Sequence, residues 1–446
     1  MTNHHLKRDF SMIINESLNP YNKIAVVGLG VSGRSALRLL TFLEKDVYLV
    51  NQGEVETWPR YEETRSILGK VEQENSNALL KEMDLIILSP GISKDIDIFD
   101  GVTCPIWCEI ELAYKFADAP ILGVTGTNGK TTVVSFLAEC AKYDTTGDYF
   151  IGGNIGVPFC DYIYERMSGE REQAQGIILE LSSFQLNLIE EFQCDVAGLL
   201  NLTFSHGERY HSIEEYGLDK YEIFKNMQNG GVAYYPSGLP VAIPYEMRNG
   251  HALDLDMKKI ISELSSYIDV SKLKIFGEHN IINTYFVYLL WDAFTGNIDA
   301  FKGACESFHG VEYRLQLIKH ESDQYFFNDA KSTNWDSTCI ALKGVENLGN
   351  VDLIIGGQLR GEGDNQLSRL DEFKNEIRKI YFFGESGKIL SNECREIDCE
   401  YYENLDDVFK AGFEAKVILF SPAFPSFDQY LNYIKRGEHF TKLALT

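Results

Sequence analysis

Lys130 and Thr131 end a glycine-rich loop that begins Gly126, Thr127, Asn128, Gly129. The loop follows the apolar run APILGV and precedes apolar residues at helical spacing, Val133, Phe136, Leu137 and Cys140. That order reads as strand, loop, helix. Backbone N–H groups of such a loop, continued by Thr132 at the helix start, offer partial positive charge to phosphate oxygens. Lys130 adds a full charge, and the Thr131 hydroxyl suits Mg²⁺. Val124 stands where the strict phosphate-loop pattern has its first glycine, so this is a variant of that loop. The chemistry it points to is nucleotide triphosphate binding.

Further polar groups follow in order. GGNIGVP presents Asn154, an amide able to hold a polar substrate, although a plain turn reads equally well. In ILELSSFQL, Glu180 ends an apolar strand, where an acid behind a phosphate loop can serve Mg²⁺. A helix N-terminal acid beside Ser182 is the competing reading. NLTFSHGERYHS carries His206, and the helical segment EEYGLDKYEIFKNM carries Lys220. Taken singly, a lone histidine reads as a surface or packed residue and a lone helical lysine as solvated.

A second glycine loop lies earlier. IAVVGLGVSG places Gly28, Gly30 and Gly33 between a strand and a helix whose Ala36, Leu39, Leu40 and Leu43 share a face. This is G-x-G-x-x-G in the setting of a diphosphate site. A dinucleotide site wants an acid at the end of the next strand, but VYLV ends at Asn51, and Glu54 lies past it. No hydride-transfer constellation follows, so a dehydrogenase is disfavoured. Ser89, Pro90 and Gly91 close the strand of LIILSPGIS and, with the first loop, would form a pyrophosphate clamp. Alone they read as a turn.

The elements that must position these groups alternate. Strand-like runs fall at Ile24–Val27, Val47–Val50, Leu85–Leu88, Ile121–Val124, Ile177–Leu179, Ala197–Asn201, Leu353–Ile355, Ile380–Phe383 and Val417–Phe420, with helical patterns between. That is α/β architecture with mainly parallel sheets. The 446 residues allow two to four domains. Two nucleotide-type loops and a third group of strands set the expected domains at 1–108, 109–310 and 311–446. The formal charge of −25 excludes nucleic acid and anionic membrane as partners. Nine cysteines without C-x-x-C spacing read as reduced, buried thiols. No apolar run approaches the ~20 residues that span a bilayer, and the N-terminus lacks a signal-peptide core, so a cytoplasmic protein is expected. The first twenty or so residues read as an arm or a short extra helix.

The whole set, GTNGKT, GGNIG, ELSSFQL, N-x-T-x-x-H-x-x-R, the helical Lys, GEHN and FSPAFPSFDQYLNYIKRGEHF, resembles the Mur ligases from about Lys23 to the C-terminus. These are ATP-driven enzymes that join a carboxylate to an amine. GTNGKT alone fits any Mur ligase or a folylpolyglutamate synthase; G-x-G-x-x-G with ELSSFQL narrows it. The resemblance implies a Rossmann-like UDP-binding domain, a central ATPase-like parallel sheet and a Rossmann-like C-terminal domain. It implies addition of D-glutamate to UDP-N-acetylmuramoyl-L-alanine through an acyl phosphate, in peptidoglycan precursor synthesis, with ATP and Mg²⁺. Closure of the third domain would shelter that acyl phosphate from water. Small-molecule substrates and a monomer are expected. The same chemistry with L-glutamate or another amino acid, and a non-catalytic nucleotide-binding homologue, stand as alternatives.

By the same resemblance, Gly28, Gly30, Gly33, Asn51, Gln52, Ser89, Pro90, Gly91 and Asn154 would hold the UDP substrate. The loop from Gly126 to Thr132 would hold ATP phosphates. Glu180 and His206 match metal-site residues, and Lys220 matches a lysine that the family carbamylates to help hold a second Mg²⁺. Asn280 and Asn283 fall at the adenine side, and Arg314 and Asp329 match residues that reach ATP, with Lys331 and Thr333 in the same loop. Arg360, Ser426, Phe427 and Tyr433 would meet the incoming glutamate. Three departures stand out. Tyr313–Arg314 replaces a His-Arg pair, Ser205–His206 replaces Asp-His, and Arg360 replaces the lysine of a G-G-D-G-K loop. The last keeps charge but changes geometry.

Overall fold

A computed structural model describes residues 18–51, 76–207, 209–227, 230–321, 323–359 and 366–446. Gln52, Glu54, Arg360 and most of the N-terminal arm lie outside them.

Three sheets are present. The first holds β1 (Lys23–Val27), β2 (Asp46–Val50), β3 (Leu85–Leu88) and β4 (Ile106–Trp107), all parallel, in the order β2-β1-β3-β4. The second holds β5 (Ile121–Thr125), β6 (Tyr149–Gly153), β7 (Gly176–Glu180), β8 (Val196–Leu199), β9 (Val232–Pro236) and β10 (Asn249–Leu253). It too is parallel, in the order β10-β9-β8-β5-β7-β6. The third holds β11 (Gln316–Glu321), β12 (Gln324–Asn328), β13 (Val351–Gly356), β14 (Ile377–Phe383), β15 (Cys399–Tyr402) and β16 (Val417–Ala423). Its order is β11-β12-β16-β13-β14-β15, parallel except for the β11–β12 hairpin.

The sequences of the central strands explain this arrangement. ILGVT, GIILE and VILFSPA are buried at every position, as required of parallel strands covered on both faces. All nine strand-like runs of the sequence are strands, although the sixth ends at Leu199 rather than Asn201. All nine cysteines are free thiols, seven of them buried.

The chain forms two compact units. One comprises Met1–Leu255 with Phe286–Phe301 and contains the first two sheets; the other comprises Asp256–Tyr285 with Lys302–Thr446 and contains the third. The returning segment is core to the first unit. Trp291 packs on Tyr149 (ring centroids 5.4 Å apart), Phe301 stacks on Phe136 (6.4 Å), and Asn297 donates to Asp144 (3.2 Å).

Within the first unit, Glu109 begins the helix Glu109–Tyr114 and is buried. Its Oε2 accepts from the Cys160 amide at 3.1 Å, and its Oε1 has no hydrogen bond. Burial pushes its pKa up from 4.5 to about 7. An acid whose folded pKa lies above its unfolded value favours folding when protonated. Its stabilising contribution is therefore full below pH about 4.5 and declines as pH rises towards about 7. Glu109→Gln is expected to flatten that slope and to stabilise the protein above pH 7 by on the order of 1–3 kcal/mol. Denaturant titrations across pH check this; an unchanged slope would refute it.

Candidate active site

The phosphate-type loop joins β5 to the helix Lys130–Tyr143, with Gly129 as the helix N-cap at φ +84°. A neighbouring segment braces it. Asn128 N donates to Asn201 Oδ1 (2.9 Å), and Asn201 Nδ2 returns a bond to Asn128 O (3.1 Å). Thr127 Oγ1 donates to Thr203 O (2.9 Å) and accepts from Thr203 N (3.1 Å). These bonds fix the loop's conformation from within the chain, which is the condition for electrostatic preorganisation. Thr131 and Thr132 lie half-buried in the first helical turn.

Two lysines share one carbonyl. Lys130 Nζ donates to Gly126 O at 2.6 Å and to Thr127 O at 3.0 Å; Lys220 Nζ donates to the same Gly126 O at 3.0 Å. Lys220 is not the solvated helical lysine of the simplest reading. It is 1% exposed in the helix Ile213–Tyr221, its Nζ 4.3 Å from the centre of the Tyr216 ring. Burial, then the charge of Lys130, hold its amine well below the usual lysine pKa, against the pull of Asp219 and Glu180.

Glu180 is the last residue of β7 and 2% exposed. Asn154 Nδ2 donates to its Oε1 at 2.8 Å, while its Oε2 is buried with no hydrogen bond. The competing reading of a helix-capping acid fails, because Ser182 caps the next helix with Gln185 in a reciprocal pair. A buried carboxylate oxygen with no donor is expensive unless a cation or proton meets it. Glu180 therefore fits a metal. No group of three or more His, Cys, Asp or Glu converges among the described residues. Mg²⁺ typically takes only one or two protein carboxylates, with waters and substrate phosphates completing its shell.

His206 is exposed and has φ +59°. Its ring lies edge-on to Phe184 at 5.0 Å. Arg209, three residues on, covers the Phe184 ring at 4.3 Å and donates to Pro90 O at 2.9 Å. It ties the His206 loop to the Ser89–Gly91 turn of the first sheet.

That turn lines a cavity of about 990 Å³ with Gly28, Gly30, Asn51 and Gly91. Asn51 Oδ1 accepts from Leu29 N (3.1 Å), and Ser89 Oγ donates to Gly28 O (2.7 Å). The glycines differ in duty. A Cβ on Gly33 would sit 1.9 Å from Gly28 O, whereas one on Gly30 would meet nothing within 4 Å. The first observation is close helix–strand packing. The second is open space beside the backbone, and a diphosphate loop needs both features.

In the second unit, Asn280 and Asn283 are buried in the helix Glu278–Thr295, bonded to Phe276 O (2.8 Å) and to each other (3.1 Å). Asp329 follows β12; Ser421 Oγ (2.7 Å) and Leu315 N (3.0 Å) donate to it, and burial lifts its pKa to about 7. Arg314 is exposed, Ser426 buried and Phe427 66% exposed.

The profile of the Mur ligase middle domain matches residues 124–290. A UDP-N-acetylmuramoylalanine–D-glutamate ligase of Desulfatibacillum aliphaticivorans is 30% identical over 449 residues, covering 95% of this chain and 98% of its own. The chain belongs to the Mur ligase family. Among solved structures, the UDP-N-acetylmuramate–alanine ligase of Thermotoga maritima shares the fold with a TM-score of 0.53 at 21% identity, covering 95% of this chain and 99% of its own. The MurF ligase of Thermotoga maritima in complex with ADP gives 0.52 at 15% identity, covering 81% and 90%. The three-domain α/β architecture expected from sequence is that of these Mur ligases.

One departure from the Mur ligase pattern has a clear structural setting. Tyr313, the first of the departures expected from the resemblance, takes φ +63°. Its ring fills the space that a Cβ on Gly437 would occupy, 2.3 Å away, and stands edge-on to Tyr433 at 6.3 Å. Lys331 Nζ lies 4.2 Å from the Tyr433 ring centre. Asn201, Thr203 and Arg209 were not singled out from sequence, although each stands in the quoted N-x-T-x-x-H-x-x-R motif.

Proposed function

We infer that this Mur ligase is the ATP-dependent enzyme that adds D-glutamate to UDP-N-acetylmuramoyl-L-alanine in peptidoglycan synthesis. The carrying observation is the convergence of Lys130 and Lys220 on Gly126 O in a braced phosphate loop, in the same sheet as the bare carboxylate oxygen of Glu180. A carboxylate is a poor electrophile, so ATP must convert it to an acyl phosphate. In this reading the loop amides and Lys130 hold the ATP phosphates, and Lys130 stabilises charge developing on the transferred group. Thr131, Glu180, His206 and carbamylated Lys220 would hold Mg²⁺. When bound, Mg²⁺ offsets repulsion between carboxylate and phosphate oxygens. A neutral lysine amine is the form that adds CO₂, and the burial of Lys220 favours it. The carbamate would also turn repulsion from Lys130 into attraction.

Gly28, Gly30, Gly33, Asn51, Gln52 and Ser89–Gly91 are assigned to the UDP substrate, with Asn154 beside Glu180. Asn280, Asn283, Arg314 and Asp329 are assigned to ATP, and Arg360, Ser426, Phe427 and Tyr433 to glutamate. We assign domain limits at 1–108, 109–310 and 311–446, within which the three sheets fall, and a monomeric, cytoplasmic enzyme. No helix among the described residues is long and apolar enough to cross a membrane.

Phosphate release with UDP-N-acetylmuramoyl-L-alanine, ATP and Mg²⁺ across D- and L-amino acids tests the reading. Release dependent on D-glutamate is expected; equal release with L-glutamate, or none with either, would overturn it. A guanidinium can grip a carboxylate through two parallel bonds, so Arg360→Ala is expected to raise KM for glutamate about 10–100-fold. KM for ATP and for the UDP substrate should hold. Unchanged glutamate kinetics would remove Arg360 from the pocket.

A further inference from the structure

Arg436 belongs to the last helix, Tyr433–Leu445, and is fully buried. Its Nη1 donates to Gly356 O (3.2 Å), and its Nη2 donates to Ala330 O (3.0 Å) and Phe424 O (2.9 Å). Those carbonyls stand at the carboxyl ends of β13, β12 and β16, three neighbours in the sheet. Among the described residues no carboxylate forms an ion pair with Arg436, and its Nε is buried without a hydrogen bond. Burial pushes its pKa down only to about 10, so it stays charged at neutral pH. Such a charge is costly in a core, and an apolar side chain would serve packing better. The planar fork of a guanidinium suits several carbonyls approaching in one plane.

Two of these carbonyls lead toward residues assigned to the amino-acid site, and the third, Ala330 O, lies beside Asp329. Gly356 leads into Gly357–Gln358, and Phe424 leads into Pro425–Ser426. A bond from Gln358 N to Pro425 O (2.8 Å) closes these two loops on each other. Ligands of parallel sheets sit beyond the carboxyl ends of strands. We propose that Arg436 is a positioning residue that holds residues 357–359 after β13 and 424–427 after β16 in register for the incoming amino acid. This rests on the reading of Ser426 and Phe427 as part of that site. Asp329 has its own hydrogen-bond donors, Ser421 and Leu315; Arg436 acts on it only through the adjacent Ala330 O and through charge, and lysine keeps that charge.

The test uses the full-length enzyme with Arg436→Lys and, in parallel, Ser426→Ala. Lysine keeps the charge but cannot span three carbonyls. Arg436→Lys is expected to raise KM for D-glutamate at least about tenfold, with kcat and the other two KM values within about threefold. Ser426→Ala should also raise KM for glutamate. If only Ser426→Ala does so, the positioning role is overturned and the site reading stands. If Ser426→Ala has no effect, the site reading falls and takes the proposal with it. If all three KM values rise together with a lower melting temperature, Arg436 is structural only. Should the lysine variant fold poorly, hydrogen exchange in Arg436→Gln decides. Faster exchange confined to residues 357–359 and 424–427 supports the proposal, and faster exchange throughout the second unit overturns it.

Discussion

Lys220→Ala is expected to lose about 10³-fold or more in turnover. A buried lysine beside a phosphate loop admits two roles. As a plain amine it is a donor to Gly126 O, and its removal would loosen the loop. As a carbamate it is a carboxylate facing the nucleotide, and its removal strips negative charge from a metal site. The two roles separate by rescue. Short-chain carboxylates or bicarbonate should partly restore Lys220→Ala if the lost group is acidic, and do nothing if it is a donor. Intact-protein mass of the active enzyme should show the addition of one CO₂. Wild-type turnover in Lys220→Ala, or an unmodified mass in fully active enzyme, would remove the carbamate. Melting temperature serves as the control, because truncating a buried side chain costs stability by itself.

Lys130→Ala should lower turnover by on the order of 10²–10³-fold. Lys130 Nζ donates to the carbonyls of its own loop, bonds that a half-buried side chain can exchange for phosphate oxygens. The variant should fold normally, since the loop keeps its braces from Asn201 and Thr203. Its KM for D-glutamate should be unaffected. Single-turnover assays of acyl-phosphate formation place the defect at the first step; a defect confined to amine attack would reassign Lys130. The variant also bears on Lys220, because removing a neighbouring positive charge lets the Lys220 amine hold its proton to higher pH.

Much of this fold was legible because parallel strands covered on both faces need unbroken apolar sequence, as in β5, β7 and β16. Other strands are short, interrupted or less buried: β4 has two residues and β15 has no fully buried position. β9 and β10 are half-exposed, β10 at an edge; β6 ends in two glycines; β11 and β12 carry Gln, Lys, His and Glu along a hairpin. The phosphate loop could be read because its chemistry is contiguous. The roles of Asn201, Thr203 and Arg209 could not, because each is defined by a partner 73 to 119 residues away. The burial of Lys220 lay within reach of the helical period. Tyr216, Gly217 and Tyr221 form one buried face with it, but a charged residue in that stripe argued for solvent.

The discontinuous first unit has a consequence for synthesis on the ribosome. Residues 1–255 carry all strands of two sheets, yet the core around Tyr149, Phe136 and Asp144 stays open until Trp291, Asn297 and Phe301 arrive. Before they do, the chain must first make Asp256–Tyr285, which belongs to the other unit. The nascent protein therefore passes through a window in which a nearly finished half exposes an unclosed apolar face, the kind of surface that chaperones shield. A fragment stopped at Leu255 should aggregate where one extended past Phe301 stays in solution. Any attempt to split this enzyme into separately expressed pieces has to respect that late closing segment.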